Sequence, residues 1–310
     1  MSALDGLLSG PRAQGAFLLR LAMTAPWSLS VEDEAPLTLL AVLEGEPWVL
    51  GEAPVQLAPG DLSIVKGPDT YLMADDPSTP VSIVVGPDQR CQALDGRSLI
   101  DEMMLGVRTW GNDREGETQV LVGTYNLDTE VSRRLLRAIP RQIDLRADEW
   151  DASLVEVLAA EVAKDRPGQE VILDRLLDLL LITAVRTWFD GHRERAPGWY
   201  LAESDEAIGR TVRLIHDEPS RPWTVAALAH EAGMSRAAFA RRFTEVVGEP
   251  PMTYLTNWRL TLAADLLRER EATVGSVAEE VGYASPFALS AAFKRVRGVS
   301  PREHRQASAV

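Results

Sequence analysis

The chain has 310 residues, of which 45% are hydrophobic, so at about 100 to 200 residues per domain it has room for two or three domains with buried cores. Its formal net charge of −14 argues against a generally basic protein that coats nucleic acid. Residues 221–310 nevertheless contain 12 Lys and Arg against 9 Asp and Glu, a net charge of +3, whereas residues 1–220 carry −17. The two ends of the chain are therefore expected to meet different partners.

Cysteine content and hydropathy indicate the cellular compartment of the protein. The single cysteine, Cys91, has no partner for an intramolecular disulfide and cannot form a multi-cysteine metal site, which fits a reducing compartment. Asp5 interrupts the few leucines of the N-terminus, which has no basic start, and charged residues interrupt the most apolar later stretch, residues 171–189. We expect a cytoplasmic protein without a signal peptide or a membrane span.

Residues 17–127 have the pattern of short strands separated by turns. Segments such as FLLRLAM, LTLLAVLEG, VQLAPGDLSIV and QVLVGTYNL are rich in aliphatic and β-branched residues. Pro, Gly and Asp interrupt these segments about every 8 to 12 residues, which is typical of an all-β sandwich or barrel. We predict such a domain here.

The pattern becomes helical from about residue 148. One helix is predicted in EWDASLVEVLAAEVAKD, and a second begins near Gln169 and is apolar around more than half its circumference. We predict that this second helix dimerises through Leu173, Leu176, Leu177, Leu180 and Ala184. The alternative is that the helix is buried within its own subunit.

The C-terminal third contains an internal repeat. Residues 223–254 align with residues 272–304. The matched pairs are Val225 with Val274, Leu228 with Val277, Ala229 with Ala278, Gly233 with Gly282, Phe239 with Leu289, Phe243 with Phe293, Gly248 with Gly298 and Pro251 with Pro301. In each copy the alanine allows two helices to cross closely, and the glycine four positions later permits the positive φ of a tight turn. Each copy is therefore predicted to be a helix-turn-helix.

The second helix of each copy is predicted to present a DNA-binding face. Ser235 and Ser285 are the predicted N-caps, which leave the free N–H groups of a helix N-terminus facing DNA phosphates. The other predicted contacts in the first copy are Arg236, Ala237, Ala240, Arg241 and Arg242. Arg241 is predicted to read a guanine through its O6 and N7 acceptors, and Arg236 to hold a phosphate. In the second copy the predicted contacts are Pro286, Phe287, Ser290, Lys294 and Arg295.

A structural role for these helices is the simpler alternative. Helix-turn-helix shapes also serve as plain corners, and arginines on a helix are often only solvated. Two copies in tandem, within the net-basic part of an acidic chain, favour DNA binding. The helix between them, YLTNWRLTLAADLLRER, would hold the two recognition helices one DNA turn apart, about 34 Å, so that both enter successive major grooves.

These residues resemble the AraC family of bacterial transcription regulators. The text from MSRAAFARRF to LAADLLRE and from VAEEVGY to SPREHR carries the resemblance over about residues 205–305. APWSLSV, LTLLAVLEG and VQLAPGDLSIV resemble the cupin-type sensor domain of one branch of that family. The resemblance implies double-stranded DNA and a small-molecule effector as partners, with activation, and hence RNA polymerase, more common than repression. In this family an arginine usually stands where this chain has Ala291, so weaker sequence discrimination is expected from the second unit.

The resemblance also bears on metal chemistry, because cupin enzymes hold a metal with histidines. All four histidines of this chain lie beyond residue 190, at His192, His216, His230 and His304. Leu40 and Tyr71 stand where the resemblance would place histidines. No metal, cofactor or catalytic residue is therefore predicted.

A ligand pocket inside the barrel is predicted instead. Its predicted lining is Trp27, Leu40, Trp48 and Tyr71, because aromatic rings give a large contact area with a polar group at one end. Cys91 follows Arg90, whose charge could lower the thiol pKa, so a redox or electrophile switch stays open as an alternative to an unreactive thiol.

The sequence thus predicts an α+β multidomain protein. Its parts would be a cupin-like β-barrel over residues 1–147, a helical dimerisation hairpin and linker over 148–200, and an all-α DNA-binding domain with two helix-turn-helix units over 201–310. The predicted function is a ligand-responsive, homodimeric transcription regulator that is not an enzyme. Two alternatives remain at this point: a DNA-tethered cupin enzyme, and an architectural DNA-binding protein without an effector.

Overall fold

The computed structural model describes residues 17–125 and 129–307. These residues form two units. The β-rich unit comprises residues 17–125 and 139–191, and the helical unit comprises residues 129–138 and 192–307. Within the described ranges, no helix is long and apolar enough to cross a membrane.

Two sheets form the β-rich unit. In chain order, the strands of the described residues are β1 Phe17–Met23, β2 Ser28–Val31, β3 Leu37–Glu44, β4 Trp48–Leu50, β5 Val55–Gln56, β6 Leu62–Lys66, β7 Tyr71–Ala74, β8 Ile83–Gly86, β9 Arg90–Ala93, β10 Met104–Gly106, β11 Thr109–Gly111, β12 Thr118–Tyr125 and β13 Gln142–Leu145. One sheet has the order β10-β11-β1-β12-β3-β6-β13, and the other has the order β5-β4-β7-β2-β8-β9. This architecture confirms the predicted β-rich, cupin-like N-terminal part.

The sheets share one apolar core. Leu40 and Val120 of the first sheet belong to the same buried cluster as Val31 and Tyr71 of the second. Strand β3 is buried along most of its length because helix Ser153–Val162 covers its other face. A strand that is covered on both faces needs apolar side chains at nearly every position, which explains the run LTLLAVL.

A long helix, Gln169–Gly191, completes this cover. It packs against helix Ser153–Val162 and strand β13. The Tyr125 hydroxyl at the end of β12 donates a 2.7 Å hydrogen bond to the carbonyl oxygen of Leu177. Both partners are buried, so this bond fixes the long helix to the sheet.

The structure contradicts most of the predicted dimerisation face. Four of its residues are buried inside their own unit, namely Leu173, Leu177, Leu180 and Ala184. The reason is visible at Gly123 of β12, where a Cβ atom would lie 2.8 Å from the Leu177 side chain. The apolar stripe therefore covers the sheet, as the alternative of burial within one subunit proposes, and Leu176 is half-buried.

The helical unit contains two helix-turn-helix elements and the helices that support them. Its α-helices among the described residues are Glu130–Ala138, Gly198–Leu201, Glu206–Asp217, Val225–Glu231, Arg236–Val247, Pro251–Leu266, Val274–Glu280, Pro286–Arg297 and Pro301–Ala307. We call Arg236–Val247 and Pro286–Arg297 the first and second recognition helices, and Pro251–Leu266 the linker helix. The helical C-terminal part is thus confirmed.

The helix Glu130–Ala138, which we call the inserted helix, differs from the predicted domain division. It lies in the sequence between strands β12 and β13 of the β-rich unit, yet it packs against the linker helix in the helical unit. The carboxylate of Asp265 accepts hydrogen bonds from the backbone N–H groups of Glu130 (2.6 Å) and Val131 (3.2 Å). These bonds satisfy donors that a helix N-terminus otherwise leaves unpaired. The predicted boundary at residues 147 and 148 therefore does not coincide with the division into units.

The last part of the predicted hairpin and linker over residues 148–200 belongs to the helical unit. Within it, helix Gly198–Leu201 packs against the first recognition helix, and Trp199 is buried. A Cβ atom at Gly198 would lie 2.1 Å from the carbonyl oxygen of Val247, so only glycine allows this close approach. Residues 192–204 are therefore part of the helical unit.

Candidate DNA-binding surface and ligand cavity

The first helix-turn-helix places its recognition helix as the sequence predicts. The Ser235 hydroxyl accepts a hydrogen bond from the Ala238 N–H (3.3 Å), which makes Ser235 the N-cap. In the turn before it, Gly233 has φ of +66°, a conformation that side chains other than glycine rarely adopt. The cap and the turn define the start of this helix, where Ser235, Arg236 and Ala237 are exposed.

The second helix-turn-helix repeats this geometry. The Ser285 hydroxyl accepts from the Ala288 N–H (3.2 Å), and Gly282 in the turn has φ of +80°. Pro286 occupies the first helical position, where its missing N–H leaves no unpaired donor. The predicted buried faces of both recognition helices are confirmed, since Phe239, Phe243, Leu289 and Phe293 have no exposed surface.

The three arginines of the first recognition helix have two different environments, one exposed to solvent and one in contact with a neighbouring helix. Arg236 is exposed, and the Arg241 side chain is 77% exposed, with Glu245 as an ion-pair neighbour at 3.7 Å. Arg242 instead donates a 2.8 Å hydrogen bond to the carboxylate of Asp205. Arg242 therefore holds a neighbouring helix in place, and its predicted contact with DNA is not supported.

The hydrogen bond from Arg242 to Asp205 has a structural role, because Asp205 caps a neighbouring helix. Asp205 is the N-cap of helix Glu206–Asp217 and accepts from the Ile208 N–H at 3.1 Å. Burial raises the pKa of Asp205, but the hydrogen bond from Ile208 and the contact with Arg242 outweigh burial and hold the pKa below its usual value. The carboxylate is thus charged at neutral pH and pairs with the arginine.

The second recognition helix presents a less basic face. Pro286, Lys294 and Arg295 are exposed, and the Phe287 ring is 84% exposed to solvent. The Ser290 hydroxyl donates to the Pro286 carbonyl oxygen (2.8 Å), so its donor is used within the helix. This face combines an apolar ring near its N-terminus with cations near its C-terminus.

The linker helix is fixed by an aromatic cluster that sequence reasoning missed. The buried ring of His216 stacks on Trp258 with centroids 4.1 Å apart, and its Nε2 shares a 2.8 Å hydrogen bond with the Tyr254 hydroxyl. Burial lowers the pKa of His216 to about 3, and the positive charge of Arg134 adds to this effect. Arg134, on the inserted helix, lies 4.9 Å from the Tyr254 ring centroid. The inserted helix therefore contributes to the core of the helical unit.

A buried ion pair adds to that contribution. Arg297, at the end of the second recognition helix, donates a 2.5 Å hydrogen bond to the buried carboxylate of Glu130. Burial raises the pKa of Glu130, but the hydrogen bond and charge of Arg297 and those of Arg133 outweigh burial, and the pKa lies below its usual value. Glu130 is therefore an anion that needs Arg297 as its partner.

The β-rich unit encloses a cavity of about 310 Å³ between its sheets. Its lining is mostly aliphatic and aromatic and includes Leu18, Leu29, Val85, Trp110 and Val122. Two further lining residues, Ile100 and Met104, are partly exposed, so the cavity opens to solvent beside them. Its volume and lining are those of a small-molecule site.

The structure places one of the four predicted pocket residues, Tyr71, at this cavity. Trp27 and Leu40 are buried in the same apolar core, and Trp48 lies on the half-buried strand β4, but none of these three lines the cavity. Sequence reasoning missed Trp110 and Arg108, which stand together in the segment RTWG. The available signal was an aromatic residue that precedes a glycine and follows an arginine by two positions in a strand-rich region.

The reactive groups in the cavity are held in their protonated forms. Burial raises the pKa of the Cys91 thiol to about 11, which favours the unreactive thiol over the redox or electrophile switch that the sequence left open. Burial also raises the pKa of the Tyr71 hydroxyl above its usual value. Among the described residues, no group of three or more His, Cys, Asp or Glu is arranged to hold a metal ion.

A cupin-like β unit followed by a tandem helix-turn-helix unit defines a class of DNA-binding regulators, and comparison with known proteins identifies the family. Residues 2–190 match the Cupin family, and residues 228–307 match the helix-turn-helix domain family. An AraC-like transcription regulator of Streptomyces lividans is 33% identical over 264 residues, which cover 82% of this chain and 81% of that protein. An AraC-like regulator of Streptomyces antibioticus is 30% identical over 264 residues, with the same coverage of both chains.

Among solved structures, the DNA-binding domain of the global transcription factor AdpA, in complex with a target DNA, is 35% identical. The match covers 31% of this chain and 87% of that chain, with a TM-score of 0.31. From the family matches and the Streptomyces relatives, the chain belongs to the AraC family of DNA-binding transcription regulators with an N-terminal cupin domain.

Proposed function

We propose that the two recognition helices bind successive major grooves of one operator and that the cavity in the β-rich unit senses a small molecule. The observation that carries the DNA-binding mode is the matched pair of capped helix N-termini at Ser235 and Ser285. Each carries exposed cations further along the same helix, at Arg241 and at Lys294. Free N–H groups at a helix N-terminus and cations along the same helix both attract DNA phosphates.

The two recognition helices have different tasks in this proposal. Arg241 has an exposed guanidinium that matches the O6 and N7 acceptors of guanine. The second recognition helix has no exposed arginine in its first two turns, and its exposed Phe287 suits a thymine methyl group. The first unit therefore sets most of the base preference, and the second contributes phosphate contacts through Lys294 and Arg295.

The proposed sensing is non-catalytic. An effector switches the regulator only if it binds one of two conformations more tightly than the other. The cavity supplies an apolar binding volume, and its thiol and phenol are protonated at neutral pH, so neither acts as a nucleophile. These features support a sensor over the alternative of a DNA-tethered enzyme.

The regulator is proposed to work as a homodimer in the cytoplasm, where its DNA lies, and as an activator that contacts RNA polymerase. Support for the dimer comes from the long helix, where Ile172 is 47% and Leu179 is 42% exposed. Residues seven apart lie on one face of a helix, and half-buried Leu176 lies between them on that face. This face replaces the buried one that the sequence suggested.

The test of DNA binding is a selection of duplexes from a randomised library by the full chain, followed by affinity measurements at several salt concentrations. We expect enrichment of a motif with two blocks about one helical turn apart. Lys294→Ala should weaken binding to every sequence alike and reduce the salt slope by about 1, because it removes one phosphate contact. No binding to any duplex at low salt would overturn the proposal.

The test of sensing separates the regulator from an architectural protein without an effector. A library of small molecules is screened for those that raise the melting temperature of the full chain in a concentration-dependent manner. An effector should also change the affinity for the selected duplex. If every molecule that stabilises the protein leaves DNA affinity unchanged, the sensing part of the proposal is wrong.

A further inference from the structure

The inserted helix is connected at both ends to strands of one sheet in the β-rich unit. Strand β12 ends at Tyr125, five residues before the helix begins, and contributes Val122 to the lining of the cavity. Directly after the helix, Ile139 is buried in the β-rich unit, and its carbonyl oxygen accepts a 2.8 Å hydrogen bond from Nζ of Lys66. Connections this short tie the position of the helix to the ends of strands β12 and β13.

The body of the inserted helix is bound at three points within the helical unit. Asp265, near the end of the linker helix, accepts hydrogen bonds from the N-terminus of the inserted helix. Arg134 lies against the ring of Tyr254, near the start of the linker helix, and Glu130 pairs with Arg297 of the second recognition helix. The two linker-helix residues are eleven positions apart, about 16 Å along a helix axis at about 1.5 Å per residue. The inserted helix therefore supports most of the linker helix and one recognition helix.

The packing between the inserted helix and its neighbours is incomplete. A mostly polar cleft of about 500 Å³ is lined by Arg137 of this helix, Thr261 of the linker helix and Val296 of the second recognition helix, among others. Protein interiors are normally close-packed, with few voids larger than a water molecule. Apolar packing therefore does not seal this face of the inserted helix.

The buried side chains of the inserted helix are half polar. Val131 and Leu135 are apolar, whereas Glu130 and Ser132 are polar and have hydrogen-bond partners. Deleting Arg297 would leave the Glu130 carboxylate buried without its main partner, but moving the whole helix away returns both charges to water. The helix can therefore be displaced without leaving an unpaired buried charge.

We propose that the inserted helix is a releasable support that couples the cavity of the β-rich unit to the second helix-turn-helix. In the bound position it holds the linker helix and Arg297 in place, which fixes the two recognition helices in one arrangement and favours an operator with one block spacing. A ligand that changes the end of strand β12 shifts the balance between the bound and released positions, and with it the DNA affinity. This role rests on the proposed function, because it requires both an operator and a sensed molecule.

DNA is the probe for this coupling, because allosteric coupling is reciprocal. If the bound position favours the operator, then the operator favours the bound position and stabilises the strand ends attached to the helix. Hydrogen exchange of the full chain is measured with and without the selected duplex. We expect the amides of residues 118–125 and 142–145, which lie outside the proposed DNA-binding surface, to exchange at least about fivefold more slowly with the duplex bound, the lower end of ordinary allosteric coupling.

An insertion variant tests the connection and leaves the contacts of the helix in place. Gly-Ser-Gly-Ser is inserted after Tyr125 and again after Ala138, which separates the helix from both strands. This variant should bind the duplex with nearly unchanged affinity but lose the slower exchange in both strands. The control carries the same insertion between Glu52 and Ala53, in an exposed turn of the β-rich unit, and should keep the slower exchange.

A substitution tests the contact with the second recognition helix while the connections keep their length. Glu130→Gln preserves the shape of the side chain but removes the charge that pairs with Arg297. We expect the slowing of exchange by DNA to fall below about twofold, and the preference for one block spacing to weaken. Glu269→Gln, at an exposed position of the helical unit, is the matched control and should behave like the unaltered chain. This variant decides the question if the insertion variant does not fold.

Two results would overturn the coupling. One is exchange in residues 118–125 and 142–145 that the bound duplex leaves unchanged in the unaltered chain. The other is slowing that persists in the folded insertion variant or in Glu130→Gln. DNA affinity is measured on the same preparations: a chain that binds the duplex normally and gives either result is still a regulator, but without this coupling. An unaltered chain that binds no duplex shows instead that the proposed function itself is wrong.

Discussion

Arg241 and Arg242 are adjacent in the sequence but differ in their surroundings, and this difference yields a prediction. Arg241 extends into solvent, whereas Arg242 pairs with the N-cap Asp205. Arg241→Ala should reduce discrimination at one base position of the operator by about 1 to 3 kcal/mol, the range for a lost bidentate contact with guanine. The measurement is a comparison of affinities for the selected duplex and for duplexes changed at each position.

Arg242→Ala is the matched control for this prediction. It should leave base preference unchanged and lower the thermal stability instead, because the Asp205 carboxylate loses its partner. If Arg241→Ala weakens all duplexes equally, or if Arg242→Ala alters the preferred base, the assignment of the two arginines is wrong.

His216 predicts a pH dependence of stability. Its pKa is about 3 in the folded protein and 6.5 in the unfolded chain, so the unfolded chain binds more protons between these values. The free energy of unfolding should therefore be unaffected by His216 above pH 6.5 and should fall as the pH falls below it, by about 1.4 kcal/mol per pH unit. Urea unfolding between about pH 7 and 5 measures this slope, because carboxylates contribute mainly at lower pH.

The variant His216→Gln isolates the contribution of the imidazole. Glutamine keeps a group that can hydrogen-bond Tyr254 but does not titrate, so the variant should be less stable at pH 7 and show a flatter pH dependence. Parallel curves for the variant and the unaltered chain would show that His216 does not carry the effect.

The position of the inserted helix depends on residues that are distant in the sequence. Its N–H groups bind a carboxylate that lies 135 residues along the chain, and its Glu130 pairs with an arginine 167 residues away. Local sequence gives only a short signal: Thr129 as an N-cap for the Ser132 N–H (3.0 Å), followed by Val131 and Leu135 four apart. Such a signal between two strands does not show which unit the helix joins, so the domain division could not be predicted there.

Elements with local signals were predictable. Strand β1 coincides with the predicted segment FLLRLAM, and the glycine turns and serine caps of both helix-turn-helix elements follow from the repeat. The short strands β10 and β11, by contrast, form part of the wall with Trp110, and their side chains lack a clear alternation. The cavity depends on how both sheets pack, and Trp110 rather than Trp48 lines it for that reason.

The ion pair of the inserted helix predicts a specific loss of stability. Arg297→Ala should lower the free energy of unfolding by about 3 kcal/mol, because the Glu130 carboxylate stays buried without its main partner. Arg295→Ala, on the exposed face of the same recognition helix, should change it by less than about 0.5 kcal/mol. Urea unfolding measures both variants, and hydrogen exchange of residues 130–138 should rise in the first alone. Equal effects of the two variants would contradict the structural role of the pair.

The uneven distribution of charge along the whole chain affects how it binds DNA. The chain carries −14 overall, yet its net-positive part contains both recognition helices. Attraction to DNA is therefore local to that part, and an acidic remainder limits binding to duplexes that lack the right groove contacts. In the proposed binding mode, phosphate contacts supply the affinity, and groups such as Arg241 supply the selectivity.

The proposed dimerisation yields a prediction for the whole molecule, because the exposed face of the long helix is its proposed interface. Leu179→Glu should convert a dimer into a monomer, because a carboxylate placed in an apolar interface loses water without a partner. Leu94→Glu is the control, since Leu94 is a more exposed leucine of the same unit that lies off the long helix, and it should leave the dimer intact. Light scattering after size exclusion measures the mass of each variant.

DNA binding tests the same face independently. A dimer that binds two sites on one duplex gains affinity from the high local concentration of its second half, whereas a monomer does not. Leu179→Glu should therefore weaken binding to a duplex with two operator sites by at least about tenfold and leave binding to a single site nearly unchanged. A monomeric unaltered chain, or a Leu179→Glu variant that remains dimeric and binds both duplexes normally, would show that this face is not the interface.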